Sequence, residues 1–204
     1  MKLYYMPSAC SLSVQIALHE LDLPYVKVLV DGRTKTLPDG CDYLAINPRG
    51  QVPLLELDDG TRLTEGPVIV QYLADRKPGC DLMPPAGTME RYRELEWLNY
   101  LTSELHQRFY PLFKFGHFPD EPKNDLRVDL DRRLAFVSNQ LGDRAYLMGD
   151  TFTAADGYLF TMLRWARFLK VETGRWPNLV AYVARVAARP AVATEMREAG
   201  LSTT

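Results

Sequence analysis

The chain has 204 residues, 47% of them hydrophobic and 25% charged, with a formal net charge of -2. That is ordinary globular composition, enough for one large or two small domains with a real core. Near-neutral, interspersed charge gives no electrostatic case for a nucleic-acid or membrane partner. No apolar run approaches the roughly 18 residues of a bilayer span. The start, one Lys and then "LYYM" before Pro7, is too short for a signal-peptide core.

In chain order, "KLYYM" at 2–6 predicts a buried strand and "SLSVQIALHEL" at 11–21 a helix stopped by "DLP". The β-branched "YVKVLV" at 25–30 predicts a second strand. After a polar loop at 31–40 comes a short helical stretch near 41–46. "VPLLEL" at 52–57 and "TRLT" at 61–64 flank "DDG", a hairpin signal. "GPVIVQYLADR" at 66–76 predicts a helix with Pro67 in its first turn, where a missing N–H costs little. The order β-α-β-α-β-β-α implies a mixed four-stranded sheet, as in thioredoxin-like domains.

"KPGCDLMPPAGT" at 77–88 holds three prolines and two glycines and reads as a linker. Helical patterns follow, at about 88–114, 124–141, 154–169, 177–188 and 190–199. The expected organisation is a sheet domain over 1–78, a linker over 79–87 and an all-helical domain over 88–204. Thr153-Ala-Ala-Asp156 reads as a capping box, with Phe152 placed to staple the first turn.

Four features could carry chemistry. Cys10 lies between the first strand and the first helix. A thiol there feels the helix dipole and unpaired N–H groups, which favour thiolate; a packed core cysteine is the alternative. Without a second Cys in "CSLS", any mixed disulfide would need an outside thiol to resolve it. Val52-Pro53 enters a strand and is a candidate cis bond, leaving Val52 to pair with an extended peptide. Glu65 and Gly66 open a helix whose N–H groups can hold a carboxylate while Glu65 holds an ammonium; Glu65 could equally be a plain first-turn acid. Asn99, Ser103, His106 and Tyr110 fall on one face of a regular helix, and His106 could meet a thiolate or move a proton. Phe109, Phe113 and Trp165 could line an apolar pocket, and Trp97, Trp165 and Trp176 suit core or domain contacts. Cys41, Cys80, His19 and His117 have no helpful local setting. Three unpaired cysteines and three scattered histidines argue for reduced thiols and against a metal site.

Together, "YYMPSACSLS", "NPRGQVPLL", "LTEGPVIVQYLAD", "EWLNYLTSELH" and "FTAADGYLFTMLRWA" resemble, in order and spacing over nearly the whole chain, the cytosolic glutathione transferases, and among them the bacterial Beta class. The resemblance implies a thioredoxin-like domain plus a helical domain, a cytoplasmic homodimer, and glutathione as cosubstrate with no tightly bound cofactor. It implies conjugation of glutathione to small hydrophobic electrophiles in detoxification. Thiol–disulfide exchange or reductive dehalogenation through a Cys10 mixed disulfide is the alternative chemistry, and hydrophobic-ligand binding the non-enzymatic one. It places Cys10 at the glutathione sulfur, Val52 on the cysteinyl unit, Glu65 and Gly66 on the γ-glutamyl head and Lys35 on the glycyl carboxylate. Asn99, Ser103, Glu104, Leu105 and His106 would close the site, with Cys10 and His106 catalytic. Where many relatives carry Ser after the acidic residue, this chain has Gly66, which predicts binding weaker by about 0.5–1.5 kcal/mol. Tyr5 and Ser11 stand as alternative helpers.

Overall fold

The computed structural model describes residues 1–114 and 120–201, and side chains except those of 114–124. His117 lies outside them. Strand β1 (Lys2–Tyr5), helix α1 (Ser11–Glu20) and strand β2 (Val26–Leu29) form a βαβ unit. A single 3-10 turn at Tyr43–Ala45 precedes the hairpin of β3 (Leu54–Glu56) and β4 (Arg62–Thr64), and α2 (Gly66–Asp75) follows. The sheet order is β2-β1-β3-β4. β1 pairs parallel with β2 (Lys2 opposite Val26) and antiparallel with β3 (Tyr4 opposite Leu54). Gly60, at φ 84°, makes the hairpin turn, a conformation glycine adopts without strain.

The second half is helical: α3 (Met89–Tyr100), a π-helical segment Leu101–His106, α4 (Gln107–Lys114), α5 (Asp120–Leu141), α6 (Ala154–Phe168), α7 (Pro177–Ala187) and α8 (Pro190–Glu198). None of the described helices is long and apolar enough to cross a membrane. The one long helix expected over 88–114 is thus an unbroken helical run of three consecutive segments.

Helix α1 sits between the sheet and helices α6 and α8, so it is buried on every side from Ser11 to Leu18. Its polar residues survive there because each is bonded: Ser11 Oγ donates to Met6 O (3.2 Å), Ser13 Oγ to Cys10 O (2.8 Å) and Gln15 Nε2 to Glu195 Oε1 (2.7 Å). The buried Glu195 also takes Lys27 Nζ at 2.6 Å and His19 Nε2 at 3.0 Å. His19, Glu195 and Glu198 come close enough to suggest a metal site, but the Lys27 ammonium bridges the two carboxylates. Arg189 forks onto Glu20 at 2.7 and 2.8 Å, a second tie between the halves. The segment between α2 and α3 is pinned as well. Ala154 N–H donates to Leu82 O at 2.9 Å, and Arg91 holds Asp75 through two 2.9 Å bonds and Pro84 O at 3.0 Å.

The capping box at α6 is present: Asp156 Oδ2 accepts from Thr153 N–H at 2.9 Å. Glu94, fully buried on α3, accepts from Ala155 N–H at 2.8 Å, and its other oxygen has no partner among the described residues. Burial pushes its carboxyl from 4.5 up to about 7. A carboxyl with a raised folded-state value stabilises the fold below its unfolded value and loses that contribution as pH climbs through the folded one. Glu94 should therefore remove about 3 kcal/mol as pH rises from about 4.5 past 7. Melting curves from pH 5 to 8 should show a decline that Glu94→Gln flattens; parallel curves for the two proteins would refute this.

Candidate active site

Between the sheet and the helices lies a cleft of about 560 Å³, lined by Met6, Cys10, Lys35, Val52, Glu65, Gly66 and His106 among others. That volume suits a small-molecule site. One wall comes from the loops that leave β1, precede β3 and enter α2. The other comes from the π-segment, α4 and α6. Trp165 Nε1–H on α6 donates to Ser8 O at 2.7 Å and so fastens the loop carrying Cys10 to the helical wall.

The Val52-Pro53 bond is cis, and sheet pairing begins only at Leu54. Val52 O faces Cys10 and accepts its thiol at 3.2 Å. Cys10 adopts helical backbone angles just before α1 and is half-buried. Of the two readings of Cys10, an activated thiolate or a packed thiol, this setting favours the packed thiol. Burial dominates and pushes the thiol up to about 11, with the nearby Glu65 carboxylate adding to it; the N–H groups of Cys10 and Ser11 pull down by less. Cys10 is therefore a neutral S–H donor near pH 7. Of the alternative helpers, Ser11 is fully buried with its hydroxyl on Met6 O, and Tyr5 does not line the cleft.

Glu65 occupies the N-cap position of α2 at φ 66°, a left-handed conformation that costs a side-chain-bearing residue about 1–2 kcal/mol. Its main chain starts the helix, with Val68 and Ile69 N–H both 3.0 Å from Glu65 O. Its side chain makes no cap bond and turns instead to Arg49, at 2.7 Å. The carboxylate is thereby aimed at the cleft. Gly66 has room to spare: a Cβ there would meet Pro53 at 3.8 Å and Ser13 Oγ at 3.9 Å, both ordinary contacts. Gly66→Ser is thus expected to fold normally and, with the γ-glutamyl carboxylate placed there as the resemblance implies, to tighten glutathione binding by about 0.5–1.5 kcal/mol, or about 2- to 10-fold. Calorimetric titration with glutathione checks this; weaker binding would contradict it.

Asn99, Ser103, Glu104 and Leu105 are not brought to this cleft. Asn99 borders a neighbouring groove with Pro67 and Tyr92. Ser103 Oγ donates to Asn99 O, Glu104 lies 3.1 Å from Arg133, and Leu105 is core. Of the expected stripe, His106 and Tyr110 do face the cleft, and Thr102, four residues before His106, stands there in place of Asn99 and Ser103. Phe109 and Phe113 do not line it either. They pack edge-on to Trp165, at ring distances of 5.9 and 5.3 Å, and support the wall from behind.

His106 is held on both sides. Its Nδ1 lies 2.6 Å from Tyr158 Oη, and its ring meets Trp165 at 4.9 Å. Burial pushes it down to about 4, so it is neutral near pH 7 and does not serve as a cation. Sequence reasoning missed Arg49, Thr102 and Tyr158. Arg49 stands in a quoted motif beside Pro48 and Gly50, but only the fold brings it to Glu65. Tyr158, within "GYLF", carries no local sign that it is anything but core.

A thioredoxin-like sheet packs on a helical bundle, and a thiol, a cis-proline edge and a carboxylate face their common cleft. Residues 7–76 match the family model for the glutathione S-transferase N-terminal domain and residues 100–190 that for the C-terminal domain. The chain belongs to the glutathione transferase family, whose cosubstrate is glutathione. It is 45% identical over 98% of its length, and 100% of the relative's, to glutathione S-transferase GstA of Escherichia coli O157:H7. Its structure superposes on BphK, a bacterial glutathione transferase solved as a ternary complex, with a TM-score of 0.93 at 48% identity, covering 98% of this chain and 100% of that one. The Beta-class enzyme of Sphingomonas chungbukensis gives a TM-score of 0.93 at 42% identity, covering 99% and 100%.

Proposed function

We propose that this transferase conjugates glutathione to small hydrophobic electrophiles, as a detoxifying, Beta-class enzyme of the cytoplasm. The observation that carries the reading is the division of the cleft. Lys35, Val52, Glu65 and Gly66 supply a polar wall, Met6, Tyr110 and Trp165 an apolar one, and Cys10 and His106 stand at the cleft as well. Glutathione lies extended along Val52. Its γ-glutamyl ammonium meets Glu65, its γ-glutamyl carboxylate the Gly66 end of α2, and its glycyl carboxylate Lys35.

The sulfur then lies beside Cys10. A neutral Cys10 thiol acts there as a hydrogen-bond donor to the glutathione thiolate, with the thiol proton released to solvent. The thiolate forms the new C–S bond and the leaving group departs with its electron pair. A protonated, half-buried Cys10 is a poor nucleophile itself, which favours conjugation over exchange through a protein mixed disulfide.

Cys10→Ala separates the two chemistries. Conjugation of a halogenated aromatic is expected to fall by no more than about 10-fold, the worth of one hydrogen bond, while exchange with a small disulfide stops. Loss of both activities would assign Cys10 the nucleophile's role. We also infer a homodimer. Val68, Met89 and Tyr92 are exposed on α2 and α3. Phe136, exposed on α5, clusters with Trp97 and Tyr100. A monomeric mass in solution at micromolar concentration would refute it.

A further inference from the structure

Tyr158 is the buried polar group of the cleft that the mechanism above leaves unused. It is 4% exposed and its ring meets that of His106 edge-on at 5.9 Å. A buried hydroxyl has to place its proton on an acceptor. The short contact it makes is with His106 Nδ1, at 2.6 Å, and the Thr102 hydroxyl stands beside it as a second, weaker acceptor. The neighbouring donors are committed elsewhere: Thr102 Oγ1 donates to Leu98 O at 2.8 Å, and the Trp165 indole N–H to Ser8 O at 2.7 Å.

If Nδ1 carried the ring proton, the two groups would meet through that N–H and the phenolic proton would be left to the weaker approach to Thr102. The reverse assignment satisfies both, and a short O–H···N contact suits it. Burial keeps both groups neutral, lowering His106 and raising Tyr158.

We propose that Tyr158 is a positioning residue for the transfer reaction: its hydroxyl donates to His106 Nδ1 and fixes the ring as the Nε2–H tautomer, which offers a neutral N–H donor to the glutathione sulfur. The proposal rests on the conjugation reading above. It assigns His106 the part of a donor to developing or bound thiolate, complementary to Cys10, in place of a base. Trp165 holds the ring plane at the other side, so the N–H direction is set by α6 although the imidazole stands on the π-segment.

Two measurements test it. In the wild-type protein, 15N-edited NMR of the histidine ring should show His106 as Nε2–H, with Nδ1 unprotonated. In kinetics with glutathione and a halogenated aromatic, Tyr158→Phe should lower kcat about 10-fold and change KM for glutathione less than about 2-fold, and it should cause no further loss in a His106→Ala background. An Nδ1–H tautomer in the wild type overturns the proposal, and so does an equal Tyr158→Phe loss in both backgrounds. If Tyr158→Phe does not fold, the wild-type tautomer decides alone. A wild-type enzyme that conjugates no electrophile defeats the conjugation reading, whereas the tautomer is read without turnover.

Discussion

Asp156→Ala is expected to cost the fold about 3–5 kcal/mol and to lower the melting temperature by roughly 10–15 °C. Asp156 is fully buried at the start of α6 and collects four donors: Leu147 N–H and Thr153 N–H at 2.9 Å each, Tyr182 Oη at 2.8 Å and Thr153 Oγ1 at 3.1 Å. Burial raises its carboxyl, and these donors oppose the rise. Removing the acceptor leaves several buried donors unpaired at once, and each costs about 1–3 kcal/mol before the site relaxes. Tyr182 is 0% exposed and cannot turn to water, and the variant leaves it only its longer 3.2 Å bond to the Asp156 main-chain O. The loss reaches beyond a simple cap, which is worth about 1 kcal/mol, because this carboxylate joins three places in the chain: the Leu147 turn, the N-terminus of α6 and α7. Thermal melts at fixed protein concentration decide the matter. A drop like that of an isolated cap would show that the four-donor junction contributes little.

Glu65→Gln should raise KM for glutathione about 10- to 100-fold, with kcat changed less than about 3-fold. The size is that of one charge-assisted hydrogen bond, about 1.5–3 kcal/mol. The argument starts from a side chain in a costly setting. Glu65 holds φ 66°, makes no cap bond, and instead faces the cleft beside Arg49. Glutamine keeps that shape and removes the charge, so the effect isolates recognition of the γ-glutamyl ammonium. In the proposed pose it should therefore appear in binding far more than in the chemical step, because the γ-glutamyl ammonium is separated by several bonds from the cysteinyl sulfur. Raising ionic strength should shrink the difference, since Glu65 is about half exposed. An unchanged KM would remove Glu65 from the glutathione site.

Several elements are legible in the chain because their causes are local. The β-branched run of β2, the "DDG" hairpin and Pro67 in the first turn of α2 all lie where the pattern puts them. The Val52-Pro53 cis bond and the Thr153–Asp156 capping box belong to the same group, each encoded within a few residues. The face of the helix after Tyr100 was legible only in part: His106 and Tyr110 of the expected stripe reach the cleft, Asn99 and Ser103 do not, and Thr102 does, while the π-segment at 101–106 leaves no trace in hydropathy spacing.

The sequence by itself determined the fold class and the family, and the stretches around Cys10, Lys35, Val52, Glu65 and Gly66, which the resemblance singled out, do line the cleft. The tertiary structure alone decided protonation and orientation. Cys10 is a thiol and His106 neutral because chain segments far apart in sequence close over them and remove water. Tyr158 reaches His106 across 52 residues, and Trp165 reaches Ser8 across 157. Desolvation and long-range hydrogen bonds depend on which surfaces meet, and that is a property of the packed halves rather than of any window of residues.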